Sequence, residues 1–83
     1  MIIEVCGPGC PRCQASEKNV LQALKELEMK LGEDAQVVEI KDIKQISARG
    51  VIMTPALVID GVKVCEGRIP NRQEVRKWIQ ERR

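Results

Sequence analysis

The residues with the most distinctive chemistry in this 83-residue chain are its four cysteines. Cys6, Cys10 and Cys13 lie close together near the start, and the fourth is Cys65. The second and third enclose two residues in a Cys-Pro-Arg-Cys motif. The chain contains no histidine, which excludes mechanisms built on an imidazole base or an imidazole metal ligand. The chemistry of this chain is therefore expected to be thiol chemistry.

The Cys-Pro-Arg-Cys motif follows an apolar run and precedes a long helical pattern. Pro11 suits the first helical position, where its fixed φ and missing N–H are harmless. A helix start presents free backbone N–H groups and the positive end of the helix dipole, and Arg12 adds a positive charge; both favour a thiolate at Cys10. We expect Cys10 to attack a disulfide and the more protected Cys13 to resolve the mixed disulfide. Pro11 and Arg12 are expected to tune the reduction potential.

Seven elements that must position these thiols are predicted from apolar spacing, β-branched residues and turn signals. They are a strand at Ile2–Cys6, a helix at Arg12–Leu31, a strand at Ala35–Ile40, a short helix after Asp42, strands at Ala56–Ile59 and Val62–Cys65, and a helix after Asn71. A helix joins the first two strands, so these should be parallel, and Asp60-Gly61 predicts a hairpin between the last two. The chain is therefore predicted to be one α/β domain over residues 1–83, in the order βαβαββα, with a four-stranded mixed sheet flanked by helices.

Apolar side chains at three- and four-residue steps mark the face that each helix should bury. They are Val20, Leu24, Leu27 and Leu31 on the first helix, Ile43 and Ile46 on the second, and Val75, Trp78 and Ile79 on the third. Gly32 is expected to end the first helix, and Asp42 and Asn71 are expected to cap the other two.

A second feature, Thr54-Pro55, precedes the third predicted strand. Proline is tolerated at the start of a strand, where no N–H need be donated to the neighbouring strand. The predicted element order places this strand near the first one. Pro55 would therefore face the cysteine pair.

These features together resemble the thioredoxin fold in its short, glutaredoxin-sized form. Gly9–Cys13, Thr54–Ala56 and Gly67-Arg68 are most similar to the small thioredoxin-like proteins of bacteria and archaea, the redox-active disulfide protein family. The resemblance covers the whole chain. It implies a cis Thr54–Pro55 bond, substrate docking at Thr54 and Pro55, and reversible thiol–disulfide exchange on protein disulfides.

The chain departs from the larger relatives at several positions. Gly9 stands where thioredoxins carry tryptophan, and Pro11-Arg12 replaces their Gly-Pro pair and is closer to the Pro-first pair of glutaredoxins. Glu66–Arg68 occupies the region where glutaredoxins carry a glutathione-binding Gly-Gly-x-Asp stretch. Because this stretch differs from the glutathione-binding one, we expect a thioredoxin-reductase-like protein rather than glutathione as the electron donor. We expect no organic cofactor, because the two thiols carry the electrons.

Glu4 lies six positions before Cys10, where thioredoxins carry a buried acid. The resemblance implies that the Glu4 carboxylate acts as a general base for the proton of Cys13. The alternative is a carboxylate that points outward from the strand.

Metal binding is the second function that the cysteines allow. Four thiolates suit a tetrahedral zinc ion or an iron–sulfur cluster. A copper or heavy-metal chaperone of ferredoxin-like fold also places Cys-x-x-Cys between a first strand and helix, but its order βαββαβ ends in a strand. This chain ends in a helical pattern, so we expect no metal site and expect Cys6 and Cys65 to act as small apolar core residues.

Composition excludes several other function classes. The 14 basic and 12 acidic residues give a net charge of +2, and Trp78 is the single aromatic residue, so we expect no nucleic-acid partner. No apolar run approaches the roughly 18 residues that would cross a bilayer, so we expect no membrane partner. Met1–Val5 has the pattern of a strand and not that of a signal peptide. Three of the four cysteines lie near one end, whereas a secreted disulfide-rich scaffold has them spread along the chain. We expect a cytoplasmic monomer.

Overall fold

A four-stranded mixed sheet lies at the centre of the computed structural model, which describes residues 1–82. The elements are β1 (Ile2–Cys6), α1 (Pro11–Glu26), β2 (Gln36–Ile40), α2 (Ile43–Ala48), β3 (Ala56–Ile59), β4 (Val62–Glu66) and α3 (Arg72–Arg82). The order βαβαββα confirms the predicted fold class. None of the helices in this part of the chain is long and apolar enough to span a membrane.

The strand order β2-β1-β3-β4 determines which residues meet at the end of the sheet. β1 pairs with β2 in parallel and with β3 antiparallel, and β3 and β4 form the predicted antiparallel hairpin. Cys6, the last residue of β1, lies opposite Ala56, the first residue of β3. The segment that follows β1 therefore lies beside the segment that precedes β3.

The two faces of the sheet bury different residues because side chains alternate along each strand. Ile3 and Val5 face the larger core, where α1 and α3 pack together. Cys6 and Val58 face the smaller core beneath α2. Burying one large aliphatic side chain contributes about 1.5–3 kcal/mol, so the larger core holds α1, and with it the cysteine motif, firmly on the sheet.

The prediction that α1 continues to Leu31 and ends at Gly32 is wrong. The helix ends at Glu26, because Glu28 has a left-handed φ of 58° and turns the chain back. The N–H of Met29 then donates to the carbonyl of Leu24 at 2.9 Å, and Met29 enters the core. Leu31 is exposed instead of extending the buried stripe.

α2 buries a single side chain rather than the predicted pair. Ile46 lies in the smaller core, whereas Ile43 at the helix start is 77% exposed. The predicted cap is confirmed, since the Asp42 carboxylate accepts the N–H of Lys44 at 2.8 Å.

The start and the buried face of α3 agree with the sequence pattern. Asn71 accepts the N–H of Glu74 at 2.8 Å, and Glu74 accepts the N–H of Asn71 in return. Val75 and Ile79 are fully buried, and the half-buried Trp78 packs against the same core. α3 is thereby held beside α1.

Candidate active site

Cys10 is the residue that begins α1. It has an extended backbone conformation, and Pro11 occupies the first turn as predicted. The N–H of Gln14 donates to the carbonyl of Cys10 at 3.0 Å, which is the first hydrogen bond of the helix. The Cys10 thiol therefore sits where backbone N–H groups are free to stabilise negative charge.

The two motif thiols are in direct contact but differ in exposure. Cys10 Sγ and Cys13 Sγ are 2.8 Å apart. Cys10 is half-buried, whereas Cys13 is only 5% exposed. The hydrogen bond from the Cys13 thiol, followed by backbone N–H groups, lowers the pKa of Cys10. Burial, together with the bond to Cys10, raises the pKa of Cys13. The pair thus combines an accessible thiol of lowered pKa with a protected thiol of raised pKa.

Gly7 makes this packing possible, and sequence reasoning missed it. A Cβ at Gly7 would overlap Cys13 Sγ and would lie 3.7 Å from Thr54 Cβ. The other five glycines have positive φ, so Gly7 alone is required for space rather than for backbone conformation. A glycine directly after an apolar strand and shortly before the motif was the available signal.

The Thr54-Pro55 segment precedes β3 and approaches Gly7, which follows β1. The Thr54–Pro55 peptide bond is cis, as the resemblance implied. Pro55 is fully buried, and its carbonyl accepts the N–H of Gly67 at 2.9 Å. Thr54 lies across Gly7 from Cys13. The structure therefore places Thr54 close to Cys13, and a position of Pro55 against the thiols stays a prediction.

Glu66, at the end of β4, holds the loop before Thr54 and was also missed. One carboxylate oxygen accepts the backbone N–H groups of Ile52 and, at 3.2 Å, of Met53. The other oxygen accepts Lys63 Nζ at 2.9 Å. The N–H of Ile52, then Lys63 and the N–H of Met53, lower the pKa of Glu66 to about 2.

The shift at Glu66 links its charge to stability. A carboxyl in an unfolded chain has a pKa of about 4.3, so the folded state favours the charged form. That stabilisation is fully present above this value and is lost as the pH falls towards about 2. The contact is therefore intact throughout the neutral range.

The Arg12 side chain reaches the turn after β4. Its Nη2 donates to the carbonyl of Gly67 at 3.2 Å, which ties the start of α1 to that turn. The backbone N–H of Arg12 helps to lower the pKa of Cys10. An effect of the guanidinium charge on Cys10 stays a prediction.

Glu4 lies on the sheet face that carries Cys6. Its carboxylate accepts hydrogen bonds from Arg49 Nε at 2.9 Å and Arg49 Nη2 at 2.6 Å. Arg49 also donates to the carbonyl of Gln45, so the ion pair joins β1 to the end of α2. A role for Glu4 in accepting the proton of Cys13 stays a prediction.

Two other carboxyl groups line a small cavity that Cys13 also lines. Glu17 follows Cys13 by one helical turn, and Glu39 and Lys41 approach from the end of β2. A hydrogen bond with Glu39, followed by burial, raises the pKa of Glu17. Lys41 Nζ lies 3.2 Å from Glu39. No motif in the sequence linked these residues to the thiols, because the contact forms only when α1 packs on β2.

The four cysteines do not converge. Cys6 and Cys65 are buried in the two separate cores, on opposite faces of the sheet. Within residues 1–82, no three or more Cys, His, Asp or Glu side chains are grouped so as to hold a metal ion. The arrangement gives no support to a four-thiolate zinc site or cluster, or to a metal chaperone.

Comparisons with known proteins agree with this geometry. A family model described as a thioredoxin domain matches residues 1–80. The chain is 38% identical over 79 residues to a thioredoxin of Methanocaldococcus jannaschii, covering 95% of this chain and 86% of the relative. It is 39% identical over 79 residues to a thioredoxin of Methanothermobacter thermautotrophicus, covering 95% and 97%.

Proposed function

This chain belongs to the family of thioredoxin domains and is a thiol–disulfide oxidoreductase, and we propose that Cys10 and Cys13 carry out its reaction on the disulfides of other proteins. The observation that carries the proposal is the 2.8 Å approach of the two sulfurs at a helix start. The accessible sulfur has a lowered pKa and the buried one a raised pKa, which supports Cys10 as the proposed nucleophile.

The reaction proceeds in two exchanges. The Cys10 thiolate attacks one sulfur of the substrate disulfide; a Cys10–substrate bond forms, the substrate S–S bond breaks, and the first substrate sulfur leaves as a thiolate. Cys13 then gives up its proton and attacks Cys10 Sγ. The Cys10–Cys13 disulfide forms and the second substrate sulfur leaves as a thiolate. Two electrons have passed from the dithiol to the substrate.

Thr54 and Pro55 form the docking edge in this proposal. Thr54 lies close to Cys13, with Gly7 between them, and an extended substrate segment would pair with the backbone of Thr54, as a strand pairs with the edge of a sheet. Pro11 keeps Cys10 at the helix start, and Arg12 holds that start against Gly67. Both residues are proposed to tune the reduction potential through this placement.

Glu4 is proposed as the proton acceptor for Cys13 during resolution. Glu4→Gln should then slow the second exchange and alter its pH dependence. Rapid-quench measurement of mixed-disulfide decay between pH 6 and 9 tests this. A pH dependence identical to that of the wild type would remove Glu4 from the mechanism.

The proposed setting is the cytoplasm, with a thioredoxin-reductase-like protein as the electron donor. The proposal includes a monomer without organic cofactor, nucleic-acid partner or membrane partner. The nearly balanced charge of +2 supports the exclusion of nucleic acid.

Trapping of the intermediate tests the assignment of roles. In Cys13→Ser the second exchange lacks its nucleophile, so a mixed disulfide between Cys10 and a protein substrate should accumulate. Native insulin, whose disulfides are intact, serves as the substrate. Non-reducing gels and mass spectrometry identify the linked cysteines. Cys10→Ser is the matched control and should trap nothing. Equal trapping by both variants would contradict the assignment.

A further inference from the structure

The loop before the docking edge exposes apolar side chains instead of burying them. Ile52 is 89% exposed and Met53 is 61% exposed. Val51, directly before them, and Pro55, two positions after Met53, are buried. Burial of apolar surface therefore anchors the two ends of this loop but not Ile52 and Met53.

Hydrogen bonds to one carboxylate supply the missing anchor. Glu66 accepts the backbone N–H groups of both Ile52 and Met53 on the same oxygen. Hydrogen bonds to an ionised acceptor are stronger than those between neutral groups. The carboxylate thus fixes the backbone of the exposed residues while their side chains stay in solvent.

Lys63 completes the contact. Its Nζ donates to the second Glu66 oxygen at 2.9 Å and to the carbonyl of Gly50 at 3.0 Å. One lysine and one glutamate from β4 therefore hold the start and the middle of the loop. The next residue, Gly67, donates its N–H to the carbonyl of Pro55 at 2.9 Å. The end of β4 holds the whole segment from Gly50 to Pro55.

We propose that Glu66 is a positioning residue for protein substrates, which holds the backbone at Ile52 and Met53 so that the adjacent Thr54 edge is ready to dock an extended segment. This inference rests on the proposed function. A preformed edge avoids the entropy of ordering the loop when the substrate binds. The low pKa of Glu66 keeps the contact formed at every neutral pH.

The proposal separates docking from thiol chemistry. Cys10 and Cys13 are positioned by α1 and by Gly7, none of which Glu66 touches through its side chain. Loss of the Glu66 carboxylate should therefore weaken reactions that need the docking edge. It should spare reactions in which a small disulfide reaches Cys10 directly.

The test compares two disulfides. Prereduced protein is mixed with native insulin, whose disulfides are intact, or with the small disulfide dithiobis-nitrobenzoate. Second-order rate constants for each reaction are measured by acid quench. Glu66→Ala should lower the insulin rate by about tenfold, as expected for loss of charge-assisted hydrogen bonds. Its rate with the small disulfide should stay within about twofold, because that reaction depends on Cys10 alone. Glu66→Gln keeps one acceptor oxygen, so its rate constant with insulin should lie between those of the wild type and Glu66→Ala.

A spectroscopic measurement and a matched control complete the test. In Glu66→Ala, the amide protons of Ile52 and Met53 should exchange faster while those of α1 remain protected. Asp34→Ala is the control, because Asp34 accepts the N–H of Lys30 at 2.7 Å in a loop at the opposite end of the sheet. It should change neither rate constant.

Equal slowing of both disulfides by Glu66→Ala, or no slowing of either, would overturn the positioning role. Unchanged amide exchange at Ile52 and Met53 would also overturn it. Failure of the wild type to react with both disulfides would instead overturn the proposed function, and the positioning role with it.

Discussion

The start of α1 and the interior of the sheet both carry cysteines, but the pKa of the thiol is shifted in opposite directions at Cys10 and in the strands. At the helix start, hydrogen bonds lower the pKa of the accessible Cys10. In the strands, burial raises the pKa values of Cys6 and Cys65. Four copies of one side chain thus include one that is suited to attack and two that are kept as inert thiols.

Cys13 shows what distinguishes the two regions. It is as buried as Cys65, and burial raises its pKa as well. It differs in having Cys10 Sγ at 2.8 Å, so its reaction is a local transfer that needs no access from solvent. Position at the helix start and a neighbouring sulfur therefore distinguish the motif thiols from the buried thiols of the strands, whereas exposure alone does not distinguish Cys13 from Cys65.

Removal of single thiols should have the strongest effect on activity and should separate the motif cysteines from the buried cysteines of the strands. Cys10→Ser should lower the rate of insulin reduction by more than about a thousandfold, because a serine hydroxyl is not ionised at neutral pH and does not form a disulfide. Cys6→Ala and Cys65→Ala should retain the wild-type rate within about twofold. Turbidity of insulin reduced with dithiothreitol as donor measures all three. A large loss in Cys6→Ala or Cys65→Ala would show that the buried thiols take part.

Filling the space at Gly7 should have the next largest effect. Gly7→Ala places a Cβ against Cys13 Sγ and should destabilise the reduced protein by about 1–3 kcal/mol, measured by urea unfolding. Mixed-disulfide resolution should slow as well, since Cys13 is displaced from Cys10.

Gly32→Ala is the control for this substitution. It forces alanine into a φ of +86° but meets no atom within 4 Å, so it should reduce stability without slowing resolution. Resolution that slows equally in both variants would attribute the effect to general destabilisation rather than to the contact with Cys13.

Serine substitutions of Cys6 and Cys65 should have a weaker effect, which differs between the two sites because their hydrogen-bonding surroundings differ. Cys65 Sγ lies 3.6 Å from the carbonyl of Arg68, which offers a hydroxyl an acceptor. No hydrogen bond within residues 1–82 involves Cys6 Sγ, so a hydroxyl there would be buried without a partner. Cys6→Ser should therefore destabilise the protein by about 1–2 kcal/mol more than Cys65→Ser in urea unfolding. Equal losses would show that the acceptor at Arg68 is not used.

Local signals in the sequence were sufficient for most of the fold. The strand patterns, the Asp60-Gly61 turn and the caps at Asp42 and Asn71 each act over a few residues, and the structure contains these features. The end of α1 could not be found in this way. The apolar spacing runs on to Leu31, and only the packing of Met29 and the left-handed turn at Glu28 favour the earlier end.

Part of the candidate site could be predicted from motifs in the sequence, and the rest depends on contacts between distant parts of the chain. Cys10, Cys13 and Pro55 stand in short motifs, and the strand order places the end of β1 and the start of β3 side by side. Gly7 and Glu66 act across the fold: Gly7 meets a helix side chain, and Glu66 accepts N–H groups 13 and 14 positions away in the chain. Such contacts leave no period or motif in the sequence, so they become visible only in three dimensions.

Site-resolved alkylation tests the contrast between the two regions most directly. The reduced protein is treated with iodoacetamide between pH 5 and 10, and the modification of each cysteine is followed by mass spectrometry. Because the pKa of Cys10 is lowered, its alkylation should rise at a lower pH than that of a cysteine in an unstructured peptide, while Cys6 and Cys65 stay almost unmodified. If Cys10 is alkylated no faster than the peptide cysteine near neutral pH, or if Cys6 is alkylated as fast as Cys10, the proposed contrast between the helix start and the sheet interior is wrong.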